Sequence, residues 1–407
     1  MMSSYAPLLA ALIALLAGLT IGKAWERYKL RDGRWFDRRK ARETPHYMLG
    51  LNFLVSNQPD LAIEELTKAA TVDSDALEID LILGNLYREK GQVGRAIQVH
   101  QSLLQRPKLT RLEHAYSLLC LGLDYKSGGF VDRAFEAFNE VLRLDPENEY
   151  ALANLEKLHE EQHQWREAYE IRQRLAGLAG KQGEARFSET LAFLENELGL
   201  QALKRGDLEG AAARFTAAID LDARAVPAHL HLGDVQLQLG RPAGAAAAWE
   251  RAVAVAPDRA HLAFERLESV YDALGTPERY PALCRQLIAA APQDWRGRVA
   301  LGRHLTGRGQ AAEALDLLLE ALAHHPHALA VHRAVWASLR QLGLDPALVD
   351  RYVDLAGKAV FYLDPHVCVH CRYRSTELLW HCPHCHEWNS FVEERIAAAK
   401  DTDEAES

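Results

Sequence analysis

Residues 198–233 read LGLQALKRGDLEGAAARFTAAIDLDARAVPAHLHLG, and the spacing within this stretch decides the fold. A Leu-Gly pair opens it at Gly199, Ala211 follows twelve residues after the glycine, and Phe215 follows sixteen after it. A second Leu-Gly pair closes it at Gly233, 34 residues after the first glycine. A pattern that returns at a fixed period indicates a structural repeat.

The same pattern recurs along most of the chain. A Leu-Gly pair is followed twelve residues later by Ala at Gly50/Ala62, Gly84/Ala96, Gly122/Ala134, Gly199/Ala211, Gly233/Ala245 and Gly302/Ala314. A large apolar or aromatic side chain follows sixteen residues after the glycine at Leu66, Phe138, Phe215, Trp249 and Leu318. Six occurrences at one offset indicate a genuine internal repeat.

This pattern resembles the tetratricopeptide repeat, in which 34 residues fold as two antiparallel helices. Gly on the first helix and Ala on the second let the two backbones approach closely, and the large residue is expected to fill the gap to the next unit. The resemblance implies an all-α solenoid over residues 45–345 with about eight repeats, each burying its core only against its neighbours. Longer connections are expected near 173–190 and 255–270.

Solenoids of this kind normally bind another protein along the face of their first helices. Residues one and four after the reference glycine are expected on that face: Asn85, Arg88, Leu123, Lys126, Leu200, Leu203, Asp234 and Leu237. Ordinary solvated or inter-repeat positions are the alternative interpretation of each. The repeats contain no Gly-rich phosphate loop, no His-Glu-x-x-His motif and no nucleophile elbow. The sequence therefore predicts a binding protein and not an enzyme.

A cysteine cluster near the carboxyl end predicts a metal site. Cys368 and Cys371 are followed, after ten residues, by Cys382 and Cys385. Two Cys-x-x-Cys turns can place four thiolates around one ion, so we predict a rubredoxin-like ribbon over residues 363–395 that binds zinc. The spacer has room for two short strands. A closed four-thiolate site has no open coordination position and would be structural, supplying much of the ribbon's stability.

Three alternatives to zinc stay open from the residues alone. Iron uses the same four thiolates in rubredoxins, and the spacing does not separate the two metals. The string Cys382-Pro-His-Cys385-His386 also matches the haem c attachment motif, although that interpretation leaves the first cysteine pair unexplained. Disulfides or redox thiols are the third alternative.

The amino-terminal residues predict a membrane anchor. Residues 5–22 (YAPLLAALIALLAGLTIG) are uncharged, and residues 23–42 carry nine basic and three acidic side chains. We predict an uncleaved transmembrane helix within residues 1–22 and a basic juxtamembrane segment at 23–44, with a cleaved signal or a buried helix as alternatives. Because basic residues are retained on the cytoplasmic side, the bulk of the chain is expected in the cytoplasm.

The overall charge argues against one class of partner. The 407 residues contain 47 Lys and Arg and 56 Asp and Glu, a net charge of −9. The basic segment at residues 23–42 carries a net charge of +6, so the rest of the chain carries −15. Such a body is not expected to bind nucleic acid. A linker helix at 346–362 and an acidic tail at 396–407 complete the expected organisation.

The three parts together resemble the lipopolysaccharide assembly protein B family of Gram-negative inner-membrane proteins. The string LLWHCPHCHEW (378–388), after the repeats and the apolar start, is the most specific portion. Arg372 and His386 follow the two knuckles where rubredoxins usually place Gly, which is a departure. The resemblance implies an adaptor that brings the lipid A pathway deacetylase to a membrane-bound AAA+ protease, alongside other lipopolysaccharide assembly proteins, with the four cysteines as metal ligands.

Two other functions stay open at this point. One is a membrane-anchored redox or cytochrome-maturation scaffold, which would place the ribbon outside the cytoplasm. The other is a general envelope-assembly scaffold without a proteolytic role. The sequence also leaves the oligomeric state open, with a homodimer among the partners to consider.

Overall fold

The computed structural model describes residues 45–72, 76–325, 328–343 and 366–394, with 346–347, 349–350 and 353; the side chains of 181–186 are excluded. No helix within these residues combines the length and apolar character that crossing a bilayer requires. Four predicted segments lie wholly or mostly outside the described residues: the anchor (1–22), the basic segment (23–44), the linker helix (346–362) and the acidic tail (396–407).

Helices follow one another through the described residues from Pro45 to Gln341. They are α1 (Pro45–Val55), α2 (Pro59–Val72), α3 (Leu77–Glu89), α4 (Val93–Leu104), α5 (Arg111–Ser127), α6 (Val131–Leu144), α7 (Glu149–Glu161), α8 (Trp165–Lys204), α9 (Leu208–Leu221), α10 (Val226–Gln238), α11 (Pro242–Val255), α12 (Phe264–Ala273), α13 (Arg279–Ala290), α14 (Trp295–Gly307), α15 (Ala311–His324) and α16 (Leu329–Gln341). This succession forms the predicted all-helical tetratricopeptide solenoid.

The chain divides within α7 into two compact units, Met1–Leu158 (unit 1) and His159–Ser407 (unit 2). In unit 1, α1 packs with α2, α3 with α4, and α5 with α6. In unit 2, α8 packs with α9, α10 with α11, and α14 with α15. The apolar cores are correspondingly local, because each lies between one helical pair and the next.

The glycines that define the repeat stand where two helices touch. A Cβ on Gly122 would lie 2.6 Å from Cε1 of Phe138, and a Cβ on Gly233 would lie 2.2 Å from Nε1 of Trp249. The large residue therefore covers the glycine of its own unit, whereas the sequence analysis expected it in the gap to the next unit. The alanines twelve residues after the glycines are fully buried: Ala62, Ala96, Ala134, Ala211, Ala245 and Ala314. Close helix approach is the physical reason for the sequence spacing.

The two irregular joints differ from each other. The connection expected near 173–190 is replaced by helix on both sides of Gly180, whose φ of 64° and ψ of −160° put a kink into α8. A glycine suits this backbone conformation because it has no Cβ. The second joint contains a short 3₁₀ helix, Pro257–Leu262, between α11 and α12. An irregular joint therefore occurs at both expected places, although the first is a kink at one glycine and not a long connection.

The carboxyl-terminal ribbon is a small antiparallel sheet within unit 2. Its strands are β1 (His366–Cys368), β2 (Arg374–Ser375) and β3 (Phe391–Glu393), in the order β2-β1-β3. Val367 pairs with Arg374 on one side and with Val392 on the other. The spacer between the cysteine pairs thus contributes one strand and not two, since β3 follows the second pair.

Candidate functional site

Each cysteine pair forms a knuckle closed by the same backbone hydrogen bonds. The amide of Arg372 donates to the carbonyl of Cys368 at 2.9 Å, and the amide of His386 donates to that of Cys382 at 2.9 Å. Arg372 and His386 have φ values of 63° and 57°, in the left-handed region. These are the two positions where the sequence departs from the glycines of rubredoxins. The knuckles therefore keep their geometry at a backbone cost of about 1–2 kcal/mol each.

The four cysteine thiols converge on one point. The Sγ atoms of Cys368 and Cys385 are 3.6 Å apart, those of Cys371 and Cys382 are also 3.6 Å apart, and all four lie within 4.8 Å of one another. All four are free thiols. A tetrahedral ion with metal–sulfur bonds of about 2.3 Å would separate its ligands by about 3.8 Å. The donor set thus fits one metal ion with four thiolate ligands.

The surroundings of the thiols favour at least one thiolate. Burial alone would raise the pKa of Cys368. Hydrogen bonds with the Ser390 hydroxyl and with the backbone of Cys371 and His370 outweigh this effect and lower the pKa to about 6. Burial raises the pKa of Cys385 to about 12, with further contributions from the neighbouring thiols. Thiols this crowded would repel one another as thiolates, so a cation at their centre would relieve the repulsion and complete their deprotonation.

The ribbon has little apolar core of its own. Cys368 and Cys382 are fully buried, and Phe391 joins them with 1% of its surface exposed. A sheet this small cannot bury enough apolar surface to be stable alone. Its stability must come from a bound metal and from the rest of unit 2.

Trp388, just after the second knuckle, is the main contact of the ribbon with the repeats. Its indole stacks on Phe193 of α8, with ring centroids 5.3 Å apart and an interplanar angle of 19°. The edge of Trp165 approaches it at 6.1 Å. Its Nε1 donates to Oε1 of Glu160 at 3.0 Å, and this glutamate is only 2% exposed. The indole therefore supplies both aromatic packing and a donor to a buried carboxylate.

A second set of contacts involves Arg259, which follows α11 in the 3₁₀ helix. Its guanidinium lies 4.9 Å from the centroid of the Trp380 ring and donates to Oδ1 of Asn389 at 2.7 Å. The side-chain amide of Asn389 donates to Glu189 of α8 at 3.0 Å. A cation over an indole face adds attraction to the hydrogen bond. Two distant repeats are thereby joined through one ribbon loop.

One salt bridge and two histidine–glutamate contacts complete the docking. Arg296, at the start of α14, pairs with Glu393 of β3. His386 and His381 lie 3.4 Å and 3.6 Å from Glu161 and Glu160 respectively. The ribbon therefore contacts α7, α8, the 3₁₀ helix and α14 within unit 2. Sequence reasoning identified the four cysteines but missed this docking site, whose signal was the pair of tryptophans that flank the second knuckle.

The residues predicted to face a partner have varied surroundings. Arg88 donates to the buried Asp124 at 2.9 Å, and Asp234 accepts two hydrogen bonds from Arg266. The other predicted residues are half-buried except for Leu237, which is 45% exposed: Asn85, Leu123, Lys126, Leu200 and Leu203. Of these, Leu200 and Leu203 pack against the core of their own repeat. A role in partner binding stays a prediction for all eight.

Comparison with known families agrees with both folded parts. Residues 366–393 match the family described as a rubredoxin metal binding domain. Residues 47–108 and 196–261 match the tetratricopeptide repeat family. The fold predicted from the glycine, alanine and cysteine spacing is therefore confirmed for the solenoid and the ribbon.

The chain is also similar to curated proteins along most of its length. Lipopolysaccharide assembly protein B of Escherichia coli strain K12 is 27% identical over 347 residues, covering 84% of this chain and 88% of that protein. The protein of the same name from Haemophilus influenzae is 26% identical over 365 residues, with the same coverage of both chains. These relatives confirm the resemblance predicted from the sequence. Together with the repeat scaffold, they point to a non-enzymatic adaptor.

Proposed function

We propose that this protein regulates lipopolysaccharide biosynthesis as a membrane-anchored adaptor. In this proposal it presents the lipid A pathway deacetylase to a membrane-bound AAA+ protease. Support comes from the similarity over 84% of the chain to proteins named lipopolysaccharide assembly protein B, and from a repeat scaffold suited to holding protein partners. The observation that carries the proposal is the contact of the ribbon with the repeats through Trp388. A site with four thiolate ligands has no position open for catalysis, so we infer that it supports a scaffold that binds proteins.

We propose zinc as the metal of the ribbon. The four converging thiols are the donor set that structural zinc takes, and zinc has no redox chemistry that the adaptor would need. Elemental analysis of the purified protein tests this proposal, with one zinc per chain as the expected result. Iron, detected by its thiolate charge-transfer absorbance, would replace zinc in the proposal without altering the ligand set.

The predicted anchor at residues 5–22 gives the adaptor its location. A single inner-membrane helix with the bulk of the chain on the cytoplasmic side would hold the repeats beside a membrane-bound protease. Confining two proteins to one surface raises their effective concentration without new contacts. A reporter enzyme fused to the carboxyl terminus tests this orientation: activity restricted to the periplasmic form of the reporter contradicts it.

Depletion of the protein tests the adaptor role directly. The half-life of the deacetylase should lengthen when the protein is depleted and return to its normal value when the wild-type chain is restored. Trp388→Ala, which removes the main docking contact, should restore it only partly. Leu61→Ala, on an exposed position of α2, serves as the matched control and should restore it fully. An unchanged half-life on depletion would leave a general assembly scaffold as the better explanation.

A further inference from the structure

The first helix, α1 (Pro45–Val55), carries apolar side chains on the side that faces away from α2. Its sequence, PHYMLGLNFLV, contains no Lys, Arg, Asp or Glu. Met48, Leu49 and Val55 are 61%, 42% and 87% exposed. Met48 and Val55 are seven residues apart and Leu49 follows Met48, so the three lie on one side of the helix. We call them the outer face of α1. Because a helix that is apolar all round is normally buried, this face is expected to be covered.

The equivalent positions of the other repeats are mostly covered. Met48 stands two residues before its reference glycine, and Cys120 has this position in α5. Cys120 is 3% exposed and packs with Leu103 of α4, the second helix of the preceding repeat. Leu49 stands one residue before its glycine. The leucines at that position are buried in four other repeats and half-buried in a fifth: Leu83, Leu121, Leu198, Leu301 and Leu232.

This comparison shows which cover α1 lacks. Within the described residues no helix precedes α1, so nothing there takes the place that α4 has beside α5. The terminal units of a repeat array normally solve this problem with a polar outer surface. The outer face of α1 is instead apolar, which indicates that another segment packs on it.

The chain immediately before α1 has the length and the composition to provide this cover. Residues 23–44 join α1 at its first residue and contain four aromatic side chains, of which Trp35 and Phe36 are the nearest to it. The nine residues from Phe36 to Pro45 span about 30 Å when extended. With 11 residues, α1 is about 16 Å long. Both rings can therefore reach the whole outer face.

Charge favours this segment over a lipid surface as the occupant. Residues 23–42 carry a net charge of +6, and α1 has no Lys or Arg to repel them. The two helices of the first repeat carry Asp60, Glu64 and Glu65 against Lys68 alone, an acidic excess that anionic lipid headgroups would repel. Helices that lie on a bilayer usually carry basic residues beside their apolar face, and α1 carries none. Tethering also gives the segment a higher effective concentration than a second copy has.

We propose that the outer face of α1 binds residues 23–44 of the same chain, with Trp35 and Phe36 as the apolar contacts. The two rings remove from water the apolar surface that α1 otherwise exposes. This contact goes beyond the proposed adaptor function and does not depend on it. It holds the basic segment against the first repeat and so limits how far the repeats stand from the predicted anchor.

Photo-crosslinking identifies the occupant. The photoreactive residue p-benzoylphenylalanine replaces Met48 in the full chain, which is reconstituted into vesicles of phosphatidylethanolamine and phosphatidylglycerol. Equal amounts of ¹⁵N-labelled and unlabelled chains are mixed, so that mass spectrometry separates crosslinks within one chain from those between two. The expected product joins position 48 to residues 23–44 of the same chain. The same residue at Leu112, which is 75% exposed on α5, is the control and should not crosslink to that segment.

Hydrogen exchange in the same vesicles tests which side chains hold the contact. Trp35→Ala/Phe36→Ala should increase the exchange rate of the α1 amides about tenfold, because truncation of aromatic contacts opens the covered helix. Arg38→Ala/Arg39→Ala changes two neighbouring side chains of the same segment without removing a ring, and it should leave the exchange of α1 unchanged.

The reciprocal change is on α1 itself. Met48→Ser/Val55→Ser removes the apolar surface and should increase the exchange of residues 23–44 to a similar extent. Leu112→Ser removes an equally exposed apolar side chain elsewhere and should have no such effect. Because Met48 and Val55 are exposed, the double variant is expected to fold, which circular dichroism checks.

Four outcomes would overturn the inference. Crosslinks between differently labelled chains would make the outer face a contact between two copies, and adducts with lipid would make it a membrane contact. The absence of any crosslink to residues 23–44 would remove the segment as the occupant. Unchanged exchange of α1 in Trp35→Ala/Phe36→Ala would remove the two rings as its contacts. The half-life of the deacetylase on depletion has no bearing on these outcomes, so the proposed function and this inference can fail separately.

Discussion

Replacing Trp388 by Ala should release the ribbon from the repeats while leaving its metal site intact. The indole packs on Phe193 and Trp165 and donates to Glu160, whereas none of its atoms lies among the four thiols. The substitution therefore weakens docking without removing a metal ligand. Metal content per chain should stay at the wild-type value.

The size of the effect follows from the contacts that are lost. Aromatic stacking contributes about 0.5–1.5 kcal/mol beyond burial, and a half-buried indole loses part of the 3–5 kcal/mol typical of a large core truncation. Glu160 is 2% exposed and loses its 3.0 Å donor, a further cost of about 1–3 kcal/mol. His381, 3.6 Å away, compensates in part. We therefore expect a loss of about 2–4 kcal/mol in docking free energy.

Hydrogen exchange measured by mass spectrometry gives the clearest readout. Backbone amides around Phe193 and Glu160 should exchange faster in Trp388→Ala, because the ribbon no longer covers them. Trp388→Phe is the matched control: it keeps the stacking and loses only the N–H donor, so it should show an intermediate effect. Adding Glu160→Gln to Trp388→Phe should recover stability, because the buried carboxylate that has lost its indole donor is then replaced by a neutral amide.

Two results would contradict this reasoning. Exchange around Phe193 that is unchanged in Trp388→Ala would mean that the indole does not hold the ribbon in place. Loss of metal in the same variant would mean that docking and metal binding cannot be separated at this residue. Either result would require a different account of how the ribbon is attached.

Three further predictions concern the repeats and the metal site. Gly233→Ala should lower the free energy of unfolding in urea by about 1–3 kcal/mol, because the new Cβ would clash with Trp249. Gly94→Ala is the control: its Cβ would have no atom within 4 Å, so the change should be neutral or slightly stabilising. Equal effects of the two changes would contradict the packing argument. Arg372→Gly should strengthen zinc binding about fivefold in a chelator competition, because the residue has a φ of 63°, while Arg372→Ala should not. Cys382→Ser should lower zinc content and increase exchange at the docking site; full retention of both would refute a structural role for the metal.

The parts predicted from sequence are those fixed by local geometry. Gly122 and Phe138 are separated by a fixed interval because the two helices of one repeat touch at these residues. A Cβ on Gly122 would clash with the Phe138 ring, which shows how close the contact is. The same holds for the cysteine pairs, since each knuckle is closed within four residues of chain by the bond from Arg372 or His386. Such constraints leave a periodic or spaced signature that a single sequence displays.

The parts that sequence reasoning missed depend on contacts between distant residues. The bond from Trp388 to Glu160 joins residues 228 apart, and the bond from Arg259 to Asn389 joins residues 130 apart. No spacing rule connects such pairs, because tertiary packing within unit 2 determines which of them meet. The place of the joint near 173–190 was expected from the sequence, but its form was not, because a single glycine with a φ of 64° makes the kink between two helical stretches.

The second knuckle contributes both to the thiol cluster and to the contact with the repeats. Cys382 and Cys385 supply half of the thiol cluster, while Trp380 and Trp388 on either side contact α8 and the 3₁₀ helix. His386, between them, is held at a φ of 57°. A metal ion bound by the two cysteines would fix the backbone of this loop and so present both indoles in the docking orientation. Because the ribbon buries too little apolar surface to be stable alone, metal binding and docking should stabilise each other, and the ribbon then joins repeats that lie far apart in sequence.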